Sequence, residues 1–200
     1  MTTAQNCFVA NLPPEHQEMY ALIHPLPDAA YTMDCAIASI EKTLATIERD
    51  CTDTPTGCFE LEPDFQRGHV WTQAQQIAYV EAIFRKTAPN RIMFNCPGWT
   101  RESTTAGDIN DNEFQCIDGL QRLTACRKFM SGEFTLFGKY KAQDLKGTPF
   151  DPRRFTLQFC IYEFNSRADL LNHYLRINAG GSIHTPEELD RVRALLALAA

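Results

Sequence analysis

No apolar run in this 200-residue sequence approaches the roughly 20 residues needed to cross a bilayer, which excludes a membrane-spanning helix. Residues 1–10 lack a basic start and a long apolar stretch, so no signal peptide is expected. The eight cysteines include no C-x-x-C pair and no accompanying H-x-x-x-H, which argues against zinc. Reduced thiols in a cytoplasmic protein are the simpler expectation. Excess positive charge is also missing. A net charge of -6 argues against a wholly basic nucleic-acid surface, while leaving room for a local patch built from arginines such as Arg122, Arg127, Arg153 and Arg154. There is no internal repeat and no low-complexity tract. What is present, 44% hydrophobic and 10% aromatic residues, suffices for one packed domain.

The pattern of elements is mixed α/β. Residues 1–33, with Pro13-Pro14, Pro25 and Pro27, read as an arm or irregular cap, and 34–200 as the domain. Ile37, Ile40, Leu44 and Ile47 predict an amphipathic helix over Asp34 to Asp50. Cys58 to Leu61 is a short strand. Thr72 with Gln75 forms a capping box opening a helix that ends near Lys86. Arg91 to Asn95 and Glu113 to Ile117 are strands, separated by a polar segment from Pro97 to Asn112 that reads as a mobile surface loop. A helix carrying Leu123, Cys126 and Met130 follows, then a strand or hairpin element at Phe134, Leu136 and Tyr140. From Phe155 to Tyr162, apolar residues alternate with Thr156, Gln158, Cys160 and Tyr162, which predicts a strand. Ser166 with Asp169 starts a helix ending at Asn178-Ala179-Gly180-Gly181, and Thr185-Pro186-Glu187-Glu188 starts the last.

Three segments carry polar groups suited to a ligand. In Ile117-Asp118-Gly119-Leu120-Gln121-Arg122, a strand turns directly into a helix whose free N–H groups and positive dipole end suit a phosphate. Gly119 permits close approach, Arg122 adds a guanidinium, and Asp118 is suited to hold magnesium or accept a proton. The same residues also fit Asp118 as a helix cap with Gln121 as its partner and Arg122 in solvent. In Pro63 to Trp71, Gln66, Arg67 and His69 crowd an irregular turn; the alternative is a hydrophobic staple at a helix start. In Arg176-Ile177-Asn178, Asn178 precedes two glycines and either orients a ligand or ends a helix.

Taken in order, P-x-x-QR-x-x-x-W, IDG-x-QRLTA, RIN-x-GG and T-x-x-EL resemble the N-terminal domain of the GmrS/GmrD modification-dependent restriction family, within the ParB/sulfiredoxin-like superfamily, over about residues 34–195. The resemblance implies a compact mixed sheet with flanking helices that binds and hydrolyses nucleoside triphosphates with possible magnesium. Its motif residues are Gln66, Arg67, Asp118, Gly119, Gln121, Arg122 and Asn178. Asp118, Arg67 and Arg122 are the expected catalytic groups and Asp118 the metal ligand. Leu120 stands where the family usually has a glutamine, which removes one amide from the motif. The family's C-terminal nuclease domain is not expected here. The leading expectation is a nucleotide-dependent phosphohydrolase or nuclease-like domain in nucleic-acid metabolism or phage–host conflict. The others are a kinase of the same fold acting on a small molecule or modified DNA base, and a non-catalytic DNA- or protein-binding module. A sulfiredoxin-like role would need a reactive cysteine, and neither Cys116 nor Cys126 is placed as one.

Overall fold

A computed structural model describes residues 9–66, 68–100, 107–178 and 186–199. It contains a five-stranded mixed sheet in the order β1-β5-β3-β4-β2, with β1 Tyr31–Ala36, β2 Cys58–Glu60, β3 Arg91–Asn95, β4 Glu113–Asp118 and β5 Thr156–Tyr162. β5 is antiparallel to β1 and parallel to β3, β4 is antiparallel to β3, and β2 runs parallel to β4 at the far edge. The helices are α1 Pro14–Ile23, α2 Ile40–Thr52, α3 Gln73–Phe84, α4 Leu120–Met130, α5 Arg167–Asn178 and α6 Pro186–Ala199. Mixed α/β architecture is what the alternating pattern of elements predicts.

The period-2 side chains of the strands feed two cores. On one face Ile92, Phe94, Phe114, Cys116, Leu157, Phe159 and Ile161 pack beneath α2, α3 and α4. Phe94 lies at the centre, its ring 4.7 Å from that of Phe114 and 5.1 Å from that of Phe159. On the other face Ile117, Cys160 and Tyr162 are covered by Leu170, Leu171 and Tyr174 of α5 and Val192 of α6. The alternation in β5 therefore divides two buried faces, with Cys160 and Tyr162 facing a second apolar layer. Its neighbours on both sides leave it central in the sheet, where each face meets a helix layer.

The amphipathic helix begins at Ile40, not at Asp34. Asp34 to Ala36 belong to edge strand β1, paired with Gln158 to Thr156, and a 3-10 turn at Ile37–Ser39 leads into α2. Tyr31 to Met33 also lie in that strand, opposite Ile161 to Phe159. The Thr72–Gln75 capping box forms as expected: the Thr72 N–H donates to Gln75 Oε1 at 2.8 Å and the Gln75 N–H to Thr72 Oγ1 at 3.3 Å. Leu136 and Tyr140 make a single antiparallel bridge around a turn with positive φ at Phe137 and Gly138. The described parts of the 97–112 loop are pinned, since Ile109 is buried and its N–H donates to the Asn165 carbonyl. Thr185 and the glycines after Asn178 lie outside the described residues.

Candidate functional site at the β4–α4 junction

The junction starts with a β-bulge. Met93 pairs with Asp118 but Phe94 pairs with Cys116, so Ile117 is an extra residue in β4 immediately before the turn. Bulges break strand alternation and re-aim the residues beside them. Here the break brings the carbonyls of Cys116 and Ile117 within reach of one nitrogen, and Gln66 Nε2 donates to both, at 3.1 and 2.6 Å. Edge strand β2 pairs with β4 only as far as Gln115, so the Gln66 amide serves as the strand's neighbour beyond that point.

Gly119 then turns the chain. It is the residue preceding α4, with φ +96°, and no side chain caps the helix among the described residues. A Cβ at this position would lie 2.8 Å from Ile92 Cδ1 and 3.2 Å from Ile92 Cα. Both the left-handed backbone and the close approach of β3 require glycine. Asp118 is therefore not the cap of α4. Its carboxylate instead accepts from the Arg122 guanidinium one turn on, forming an ion pair in which the Arg122 side chain is 17% exposed and that of Asp118 35%. The pair belongs to the first turn of α4, where the helix dipole favours negative charge.

Gln121 reaches outward. Its Oε1 accepts from the N–H groups of Val70 and Trp71, each at 3.2 Å, and its Nε2 donates to the Gly68 carbonyl at 3.1 Å. One amide thus fastens residues 68–71 to the first turn of α4. Arg191 of α6 adds a third tie, donating to the Gln66 carbonyl at 2.7 Å. Arg67 lies outside the described residues. Asn178 donates to the Tyr174 carbonyl of its own helix at 2.8 Å, so its amide acts in the helix end. It does lie on the same flank, since the Phe65 ring beside Gln66 packs edge-on at 5.3 Å against Tyr174. His69 pairs with Glu62 at 2.9 Å, in an exposed position.

The junction thus gathers Gln66, Asp118, Gly119, Gln121 and Arg122. It also includes residues that sequence patterns do not mark. Tyr79 of α3 is buried, and its hydroxyl donates to the Pro89 carbonyl at 2.9 Å. Burial is the main reason its phenol is held well above its usual range, with the nearby Arg122 charge opposing and the Asp118 charge reinforcing the shift. Its place on the apolar row with Val80 and Ile83 was the available signal. Leu120 is buried in the core and lines a cleft of about 400 Å³ with Glu41, His69, Thr124 and Arg127. An amide there would need a buried partner, so leucine suits the packing. The thiols of Cys116 and Cys126 are buried and shifted upward by desolvation, Cys126 to about 12, which keeps them protonated and unreactive.

Asp118 is a single carboxylate already engaged by Arg122, and among the described residues no group of three or more His, Cys, Asp or Glu could hold a metal ion. A magnesium ion at this place would have one protein carboxylate, that of Asp118, with phosphate and water oxygens as its other partners. No described helix is long and apolar enough to cross a membrane.

Fold and site together define a mixed α/β domain in which β4, an interior strand, delivers an acid–glycine–arginine junction to an uncapped helix start. The family model for the GmrSD restriction endonuclease N-terminal domain matches residues 52–193, and the chain belongs to that family. Its role is accordingly a restriction-related one. Comparison with curated proteins and with solved structures gave no match.

Proposed function

We propose that the β4–α4 junction binds the phosphates of a nucleoside triphosphate and serves their hydrolysis in a restriction-related, nucleic-acid-directed process. The observation that carries this reading is the uncapped start of α4, reached through a left-handed Gly119 and flanked by the Asp118–Arg122 pair. Backbone N–H groups, the helix dipole and one guanidinium together make an anion site. In this scheme Arg122 exchanges part of its contact with Asp118 for a phosphate oxygen. The released carboxylate orients a water and takes its proton as that water attacks the terminal phosphorus. The bond to the bridging oxygen breaks, giving orthophosphate and a nucleoside diphosphate. Arg67, which follows Gln66 in sequence, supplies the second positive charge. Gln66 and Gln121 shape the site through backbone contacts, and Asn178 closes its flank. No step is routed through a metal ion.

Titration calorimetry with ATP, GTP and CTP, followed by tracing labelled γ-phosphate, tests the proposal. Label in free orthophosphate is the expected result; label on an acceptor hydroxyl would make the domain a phosphotransferase instead. Absence of binding for all three nucleotides would overturn the reading. A non-catalytic module is the second reading, favoured by the engagement of all three motif amides, Gln66, Gln121 and Asn178, with backbone groups. Tight DNA binding on which nucleotide has no effect is its signature.

A further inference from the structure

The chain's charge is unevenly distributed. Residues 85–91 and 137–154, 25 residues in all, hold eight of the 19 Lys and Arg but two of the 25 Asp and Glu. Those two acids are already used: the Asp144 carboxylate accepts from the Lys141 N–H at 2.8 Å, and Asp151, with a side chain 4% exposed, accepts from Arg153 and from the Gly147 N–H. The two segments also meet in space, around a third acid, Glu81 of α3, which pairs with Arg85 and accepts from the Phe137 N–H at 2.6 Å. The Arg85 guanidinium lies 4.7 Å from the Phe137 ring centroid, Lys86 and Arg154 line one cleft, and Arg154 continues into a second with Gly147 and Thr148. Phe137, Tyr140 and Phe150 stand exposed among these cations, at 46%, 39% and 55%. On a protein of net charge -6, this is a separate basic face with aromatic platforms.

We infer that this face, formed by the 85–91 turn and the 137–154 segment, is the surface on which the domain holds DNA. The choice of DNA rests on the restriction-related reading above; the geometry rests on charge complementarity to a phosphate backbone, with exposed rings available to stack on bases. The face lies at the same end of the sheet as the nucleotide site. β3 starts there at Arg91, its Met93 is opposite Asp118, and Tyr79, which senses the Asp118 and Arg122 charges, donates to Pro89 within the 85–91 turn. DNA seated on Lys86 and Arg154 would therefore pass beside the β4–α4 junction.

The test is fluorescence polarisation of the whole chain, without nucleotide, using labelled duplex DNA and one of its single strands at several salt concentrations. The variants are Lys86→Glu/Arg154→Glu and Lys139→Glu/Lys141→Glu, with Lys42→Glu on α2 as the control for a charge reversal elsewhere on the surface. Both patch variants should weaken binding at least tenfold and flatten the salt dependence, by about 0.9 log units per lost duplex contact. Lys42→Glu should change binding less than threefold. A stronger effect on the single strand, shared by Phe137→Ala and Phe150→Ala, supports stacking on this face. Patch variants that melt like the wild type and bind DNA equally well overturn the inference, as does an equal loss in Lys42→Glu or a wild type that binds neither form. Nucleotide titrations on the same variants separate the two proposals, because Lys86 and Arg154 lie outside the nucleotide site.

Discussion

Arg122 closes onto Asp118 across one turn of chain, so the most prominent cation of the junction is matched by an acid of the same motif. Such a pair keeps both side chains oriented at the helix start while no ligand is bound. It also means that anion binding is an exchange of partners. Asp118→Asn should weaken that competition, raising affinity for a non-hydrolysable triphosphate while reducing hydrolysis at least tenfold. Parallel titration and turnover measurements check this, and equal losses in both would contradict it.

Gly119→Ala should be costly out of proportion to its size. The backbone at φ +96° and the 2.8 Å approach to Ile92 Cδ1 leave no room for a methyl group. A loss of about 1–3 kcal/mol is expected from the conformational penalty, with further loss if β3 must shift. Urea denaturation gives the figure, and Gly68→Ala, where nothing lies within 4 Å, is the comparison that should change little.

Gln121→Ala should free the 68–71 segment without unfolding the domain. Three hydrogen bonds disappear, all to exposed or half-exposed groups that water can satisfy, so the expected loss is about 1–2 kcal/mol. Trp71 sits at the end of the released segment, its ring 5.4 Å from Tyr79. Its fluorescence should move to longer wavelength and exchange of the Val70 and Trp71 amide protons should accelerate. Unchanged exchange would remove Gln121 from its positioning role.

His173 on α5 makes stability depend on pH. The ring is 3% exposed, lies 4.7 Å from Tyr162 and 5.0 Å from Phe164, and neither nitrogen has a partner among the described residues. Burial, helped by the Arg176 charge, lowers its pKa to about 4 from an ordinary 6.5. In this window the unfolded chain binds a proton that the folded chain excludes. Stability is therefore complete above pH 6.5 and falls as pH drops toward 4, by up to about 3 kcal/mol. Denaturation at pH 7.5 and 5 should show the fall in the wild type and a smaller one in His173→Phe.

Much of this arrangement was legible from residue order. The Ile117-Asp118-Gly119 break, the Thr72–Gln75 box and the Phe155 to Tyr162 alternation are local signals, and each forms as its chemistry dictates. The start of β1 was hidden because Tyr31 to Ala36 is a six-residue edge strand next to the first apolar positions of α2, and its partner residues, Ile161 to Thr156, are remote in sequence. The roles of Gln66 and Gln121 were hidden for the same reason. Both amides look like ligand contacts in a motif, yet they bond to backbone about 50 residues away in sequence, and only the folded chain brings those groups together. Tyr79 reads as an ordinary core aromatic until its neighbours are known.

The measurement closest to the central claim compares nucleotide affinity in the wild type and Arg122→Ala, with thermal melting as the check on folding. A fully desolvated phosphate contact would be worth more, but at 17% exposure the loss of this guanidinium should weaken binding about tenfold or more while the domain still melts cooperatively. An Arg122→Ala protein that folds normally and binds triphosphate as tightly as the wild type would show that the phosphate does not dock where β4 hands over to α4.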